Sequence, residues 1–180
     1  MRGIVGQGAG WDQGDIVEAA YFGATDSSLP AVLLTPACDL EHDKVEFWTL
    51  VALFPDIEVA RAICDAELHA WGRTAESLSG SQRKRLAEKI RDLIHQRFPR
   101  YQWLPLDHAG SAGYVADFTL VQSLPADEVR TLGRIGAVES RWREQMAARY
   151  AAYLGRIGTD DFTQADVESH VQRLLSGATG

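Results

Sequence analysis

Apolar positions fall into short, fenced runs in the first third of the chain and into helical stripes after it. Gly14-Asp15-Ile16-Val17, Pro30-Ala31-Val32-Leu33-Leu34-Thr35-Pro36 and Phe47-Trp48-Thr49-Leu50-Val51-Ala52-Leu53-Phe54-Pro55 are rich in β-branched or aromatic residues. Each is bounded by Gly, Pro, Asp or Ser. Runs of this kind read as strands. A strand, a polar loop, a Pro-entered strand and a returning strand predict the opening of a small curled antiparallel sheet. Tyr101-Gln102-Trp103-Leu104-Pro105-Leu106 and the alternating stretch from Tyr114 to Ser123 add a fourth and a fifth strand. The pattern therefore predicts an α+β fold on a small SH3-like antiparallel β-barrel of about five strands, with few free edges.

The apolar period changes after Pro55. Asp56 caps a helix whose stripe is Ala60, Ile63, Cys64, Leu68 and Trp71, with Gly72 as its stop. On that stripe Cys64 reads as a buried, inert thiol. A second helix is expected from Gln82 to Phe98, with Leu86, Ile90, Leu93, Ile94 and Phe98 inward, ended by Pro99. The pair at 56–98 is then an insertion between the third and fourth strands. Val138, Trp142, Met146, Tyr150, Tyr153 and Leu154 form a ladder down a later helix. Thr163 with Asp166 reads as a capping box for a last helix carrying Val167, Val171, Leu174 and Leu175. Residues 1–13 read as a flexible Gly-rich arm, 14–175 as one domain, and 176–180 as a tail. Gly6, Gly8 and Gly10 do not form a phosphate loop, because no strand precedes them and no helix start follows. The pentapeptide Leu-Gly-Arg-Ile-Gly occurs at 132–136 and at 154–158, placing Arg134 and Arg156 at the two ends of the long helix. Helix-end counter-charge is the ordinary use of Arg156; a paired anion site is the other.

Composition narrows the class. With 46% hydrophobic and 9% aromatic residues in 180, the chain can bury a core. No apolar run suits a bilayer span or a signal peptide, and two cysteines give no disulfide framework, so a cytoplasmic setting is expected. The net charge of −7 disfavours polyanion binding over the whole surface. Charge is uneven, however: Arg83, Lys84, Arg85, Lys89, Arg91, Arg97 and Arg100 face only Glu88 and Asp92 between Ser81 and Arg100. Such a stretch is either a solvated, ion-paired helix face or a local basic patch for RNA, with Lys84, Arg85 and Arg91 outermost.

The order of the runs resembles the MazF/PemK family of bacterial toxins. The resemblance rests on Gly14 to Pro55, on Tyr114-Val115-Ala116-Asp117-Phe118-Thr119-Leu120-Val121-Gln122-Ser123-Leu124, and on Arg130-Thr131-Leu132-Gly133-Arg134-Ile135-Gly136, in that order. It implies a toxin-type barrel, a homodimer, and metal-independent cleavage of single-stranded RNA without a cofactor. Such cleavage needs a base, an acid and a cation for the crowded phosphate. The family places Arg before the Pro of its second strand and a hydroxyl just past its third. Here Leu29 precedes Pro30, and Phe54-Pro55 stands where the hydroxyl would be. Glu18 to Thr35 holds no Lys or Arg, and its loop carries Asp26, Ser27 and Ser28. Carboxylate and hydrocarbon cannot stabilise a developing phosphate dianion.

A relocated centre would draw on His42 and His108 as acid and base with Lys44 beside the phosphate. The plainer reading makes Asp39 and Asp43 turn formers and Cys38 the end of a buried strand. A zinc site on Cys38 and His42 lacks further ligands in the sequence nearby. Trp48 and Trp142 sit at core spacing. Trp11 in the arm, and Trp103 beside Tyr101 and Arg100, are candidates to stack a base or anchor a partner. The leading expectation is a binding or regulatory module that contacts a protein ahead of RNA. The alternatives are an endoribonuclease with a moved centre and an anion sensor at Arg134 and Arg156.

Overall fold

The computed structural model describes residues 4–5, 10–42, 44–105 and 113–155. Strands β1 (Ile4–Val5), β2 (Asp15–Phe22), β3 (Ser27–Leu33), β4 (Phe47–Pro55), β5 (Tyr101–Leu104), β6 (Tyr114–Pro125) and β7 (Arg134–Val138) form one sheet. Their order is β1-β7-β2-β3-β4-β6-β5, and every pairing is antiparallel. Helices α1 (Ala37–Glu41), α2 (Asp56–Trp71), α3 (Gly80–Ile94), α4 (Ala126–Thr131) and α5 (Ser140–Leu154) complete a mixed α+β architecture. The five expected strands are present, with β7 and β1 added at one side.

Continuous apolar runs in β3 and β4 arise because both faces of the sheet are covered. Val17, Phe22, Ala31, Leu33, Trp48, Leu50 and Ala52 point to one face, where Leu40 of α1 and Val129 of α4 seal them. Ile16, Val32, Leu34, Val51, Leu53 and Phe118 point to the other, against Met146 of α5. A register shift between Val17 and Ala20 in β2 puts both side chains into the first cluster. An irregularity opposite Val51 and Leu53 similarly bends β6. Such bulges sharpen local twist. The sheet is consequently curled: Cα atoms of β2 come within 8 Å of β6 although β3 and β4 lie between them. The ring is nonetheless open. No hydrogen bonding joins β5 to β1 among the described residues, so the closed barrel expected from the sequence is not formed. Helices on both faces bury what closure would otherwise bury. The edge of β5 is protected differently: Arg149 donates to the carbonyls of Phe98 and Tyr101, and Gln96 donates to that of Trp103.

The helical pair between β4 and β5 is compact. The backbone of β4 runs through Pro55 directly into α2, and α3 returns to β5. Val59 and Leu93 pack on Val115, with Phe54, Ile63, Phe98 and Trp103 around them. Ser79 accepts from the Gln82 N–H while Gln82 accepts from the Ser79 N–H, so α3 begins with a capping box. It ends at Ile94, before the expected Phe98, because Gln96 adopts a left-handed φ of 59°. Residues 134–138 also differ from expectation, forming a strand rather than the lead-in to α5. Val138 reaches the same cluster as Trp142 and Met146, but from the sheet. The expected last helix, with Thr163 and Asp166, lies outside the described residues, as do Asp43, His108 and Arg156.

Candidate functional site

The positions that would hold the toxin family's chemistry are taken up by packing. Leu29 is partly buried against the first core cluster. Phe54 bridges that cluster and the one beneath the helical pair, and Pro55 is the residue on which α2 starts. The inserted helices thus leave the sheet at the point where a hydroxyl would be needed. At the β2–β3 turn Tyr21 donates to Asp26 Oδ1 at 2.8 Å, and Ser27 donates to Thr25 Oγ1 at 2.8 Å. Asp26 takes a left-handed φ of 49°, which an Asp tolerates. This turn is polar, acidic and self-bonded.

His42 is exposed at the end of α1, and Lys44 is exposed beyond it with its N–H on the Asp39 carbonyl. Cys38 is exposed rather than closing a buried strand, because residues 37–41 form a short helix. Among the described residues no three His, Cys, Asp or Glu side chains gather as a metal set. Cys64 is half-buried; burial and then the neighbouring Asp65 carboxylate push its thiol pKa up, which keeps it protonated.

The basic stretch divides. Arg85 and Lys89 approach Glu67 of α2 at 3.8 and 3.4 Å, with Arg85 over the Trp71 ring. Arg97 pairs with Asp92 at 2.9 Å. Arg100 holds Asp117 with two parallel hydrogen bonds. Arg83, Lys84 and Arg91 are exposed and form no ion pair among the described residues. So Lys84 and Arg91 remain available to a ligand, whereas Arg85 joins the two helices.

Arg134 is internal to the fold. Its guanidinium lies 2.8 Å from the fully buried Asp15, donates to the Gly10 carbonyl at 2.6 Å and sits over Trp11. Trp11, expected in an arm, packs edge-on to Trp48 at 5.5 Å, and Arg130 covers the Trp48 ring. An Arg-Trp-Trp-Arg stack therefore fastens residues 10–13 to the sheet. Trp103 is partly buried beneath the helical pair. Its Nε1 donates to Asp56 Oδ2 at 3.3 Å, and its ring meets Trp142 edge-on at 6.5 Å.

What the fold does present is an apolar groove of about 180 Å³ between α2 and α3, lined by Asp56, Ile57, Ala60, Ile90, Leu93, Ile94 and Trp103. Ile57 is 57% and Ile94 46% exposed at its mouth. Sequence reasoning put Ile94 inward and passed over Ile57. The available signal was the adjacent pair Leu93-Ile94: neighbours on a helix point about 100° apart, so the two lie at opposite margins of the apolar stripe and do not bury equally. Among the described residues no helix is long and apolar enough to cross a membrane. No protein-family model matches the chain, and no curated protein is found to match it.

Proposed function

We propose that the chain is a binding module on a diverged MazF/PemK-like sheet, that it docks a protein partner in the groove between α2 and α3, and that its setting is a bacterial toxin–antitoxin or defence system. The observation carrying the binding reading is the groove itself, with two large aliphatic side chains exposed side by side above Leu93 and Trp103. Exposed apolar surface of this kind on a folded domain favours a macromolecular contact. The family reading is supported by its three sequence segments, which fall on β2–β4, on β6 and on α4–β7 of one curled sheet, the finer SH3-like description of that sheet. Loss of the nuclease centre is supported by Leu29, Phe54 and Pro55 standing in packing roles.

The test places a photo-crosslinking p-benzoylphenylalanine at Ile94 in the full chain within its native host. The expected result is one cross-linked protein species, lost on Ile57→Glu and retained on His42→Ala, with no effect on host growth. The reading is overturned if the purified chain, with chelator present, cleaves single-stranded RNA in a manner lost on His42→Ala or His108→Ala. Light scattering checks the homodimer that the family resemblance implies.

A further inference from the structure

The charges around the groove specify what it takes. We propose that it receives an acidic amphipathic helix of a partner protein, with aliphatic side chains seated between Ile57 and Ile94 and carboxylates laid against Arg61, Arg83 and Arg91. This rests on reading the groove as a protein-docking surface and adds the chemistry of the partner.

The rim supplies the cations. Arg61 stands one turn after Ile57 on α2, and Arg91 one turn before Ile94 on α3. Arg83 precedes Ile94 by about three turns and so projects from the same face. Lys84 shares the side of Arg91, about two turns away. All four are exposed and make no ion pair among the described residues, unlike Arg85 and Lys89, which Glu67 of α2 holds. Exposed carboxylates lie further round. Glu58 is about 100° and Asp65 about 80° from Ile57, and Glu88 about 120° from Ile94, whereas the three arginines fall within about 60° of the isoleucine on their own helix. Asp56, which lines the groove, accepts from Trp103 Nε1 at 3.3 Å.

Shape sets the form of the partner. A groove between two helices admits a third, and a helix presents apolar anchors at i, i+3, i+4 and i+7. A volume of about 180 Å³ takes a few aliphatic side chains. Arg83 stands about 16 Å from Ile94 along α3, so the acidic flank of the partner extends about three turns beyond its anchors.

Two other occupants fit less well. In a symmetric pair of copies, each arginine rim would meet its own counterpart across the two-fold axis. A nucleic acid would use the cations but gains little from isoleucine. It stacks bases on aromatic rings, and Trp103 instead turns its ring to Trp142 beneath the helical pair. The net charge of −7 does not keep an acidic partner away, because salt screens beyond about 10 Å and leaves the rim as the field a docked segment meets.

The experiment titrates the purified full chain into two fluorescein-labelled helical peptides of about five turns, kept dilute enough to stay monomeric. Both carry Leu at i, i+3, i+4 and i+7; one has Glu and the other Lys at the remaining positions. Fluorescence anisotropy should show the Glu peptide bound about tenfold more tightly than the Lys peptide, with the difference shrinking as salt rises. Arg61→Glu/Arg91→Glu should invert the preference, and Ile57→Ser or Ile94→Ser should weaken both peptides. Equal or tighter binding of the Lys peptide overturns the proposal, as does binding of neither or a preference unmoved by Arg61→Glu/Arg91→Glu. So does capture of a labelled single-stranded RNA that is lost on Lys84→Glu/Arg91→Glu and indifferent to Ile57→Ser, which would make polyphosphate the ligand. The two ideas fail separately. A protein cross-linked in the host from Ile94, lost on Ile57→Glu but unchanged by Arg61→Glu/Arg91→Glu, keeps the docking reading and removes the acidic partner. The expected peptide behaviour with no protein cross-linked in the host does the reverse.

Discussion

Two buried aspartates, each tied to an arginine across neighbouring strands, behave in opposite ways. Asp117 on β6 faces Arg100, beside β5, and Asp15 on β2 faces Arg134 on β7; both carboxylates are nearly or fully inaccessible. Burial is the largest influence on each and pushes each pKa up. At Asp117 the two Arg100 bonds, the Thr119 hydroxyl at 2.7 Å and the Thr119 N–H at 3.0 Å together outweigh it, and the pKa ends below the ordinary value. At Asp15 the Asp12 N–H donates at 2.7 Å and the Arg134 guanidinium, 2.8 Å away, also favours the anion. Burial, with repulsion from the Asp12 carboxylate added, outweighs both, and the pKa ends raised. Proximity to a guanidinium is thus not enough. Aligned donors decide whether a buried carboxylate is comfortable as an anion.

The comparison breaks most visibly at Arg134. Arg134→Leu leaves a fully buried anion without its cation and should cost about 3–5 kcal/mol near neutral pH in urea unfolding. The loss should shrink as the pH is lowered, because a protonated Asp15 needs no cation. Arg100→Leu should cost less, about 1–3 kcal/mol, since its guanidinium is half in solvent and Thr119 still supports Asp117. Thr119→Val removes the hydroxyl donor and should cost about 1 kcal/mol while moving the Asp117 pKa upward, readable by carboxyl NMR titration.

The finest distinction is in the acid limb of stability. Asp117, with its pKa depressed in the fold, contributes stability that is complete above the ordinary aspartate value of 3.8 and is lost as pH falls through its lower folded value. Asp15 acts with the opposite sign: its penalty is present above its raised folded pKa and is relieved as pH falls from there towards 3.8. Unfolding curves against pH should therefore show Asp117→Asn flattening the limb below 3.8. Asp15→Asn should remove a stabilising rise just above it. Identical slopes in the two variants would show that the two sites are alike after all.

The runs from Gly14 to Pro55 were legible as strands because a sheet covered on both faces needs unbroken apolar sequence, and β3 and β4 have it. The helical pair was legible through period and through the Gly72 stop, whereas Asp56, expected as the cap of α2, is its first helical residue, and Pro55 stands at the N-cap. β7 was not: Val138 stands four positions before Trp142, so its place in the ladder is met equally by a helix and by a strand packing on the same cluster. The short helices α1 and α4 offer too little length for any period to show. At the candidate site, the absence of cations around Pro30 was visible directly, whereas the exposed groove was not, since it depends on which of Leu93 and Ile94 the sheet accepts.

Sequence alone determined that the stretches of β2 to β6 extend and that those of α2, α3 and α5 coil, because period and chain breakers are properties of neighbours along the chain. Tertiary structure alone decided that Arg134 and Arg100 serve buried aspartates while Arg61 and Arg91 stay in solvent, and that, among the described residues, the curled sheet stays open between β1 and β5. These outcomes follow from contacts between residues far apart in sequence. There a charge is worth what its aligned partners make of it.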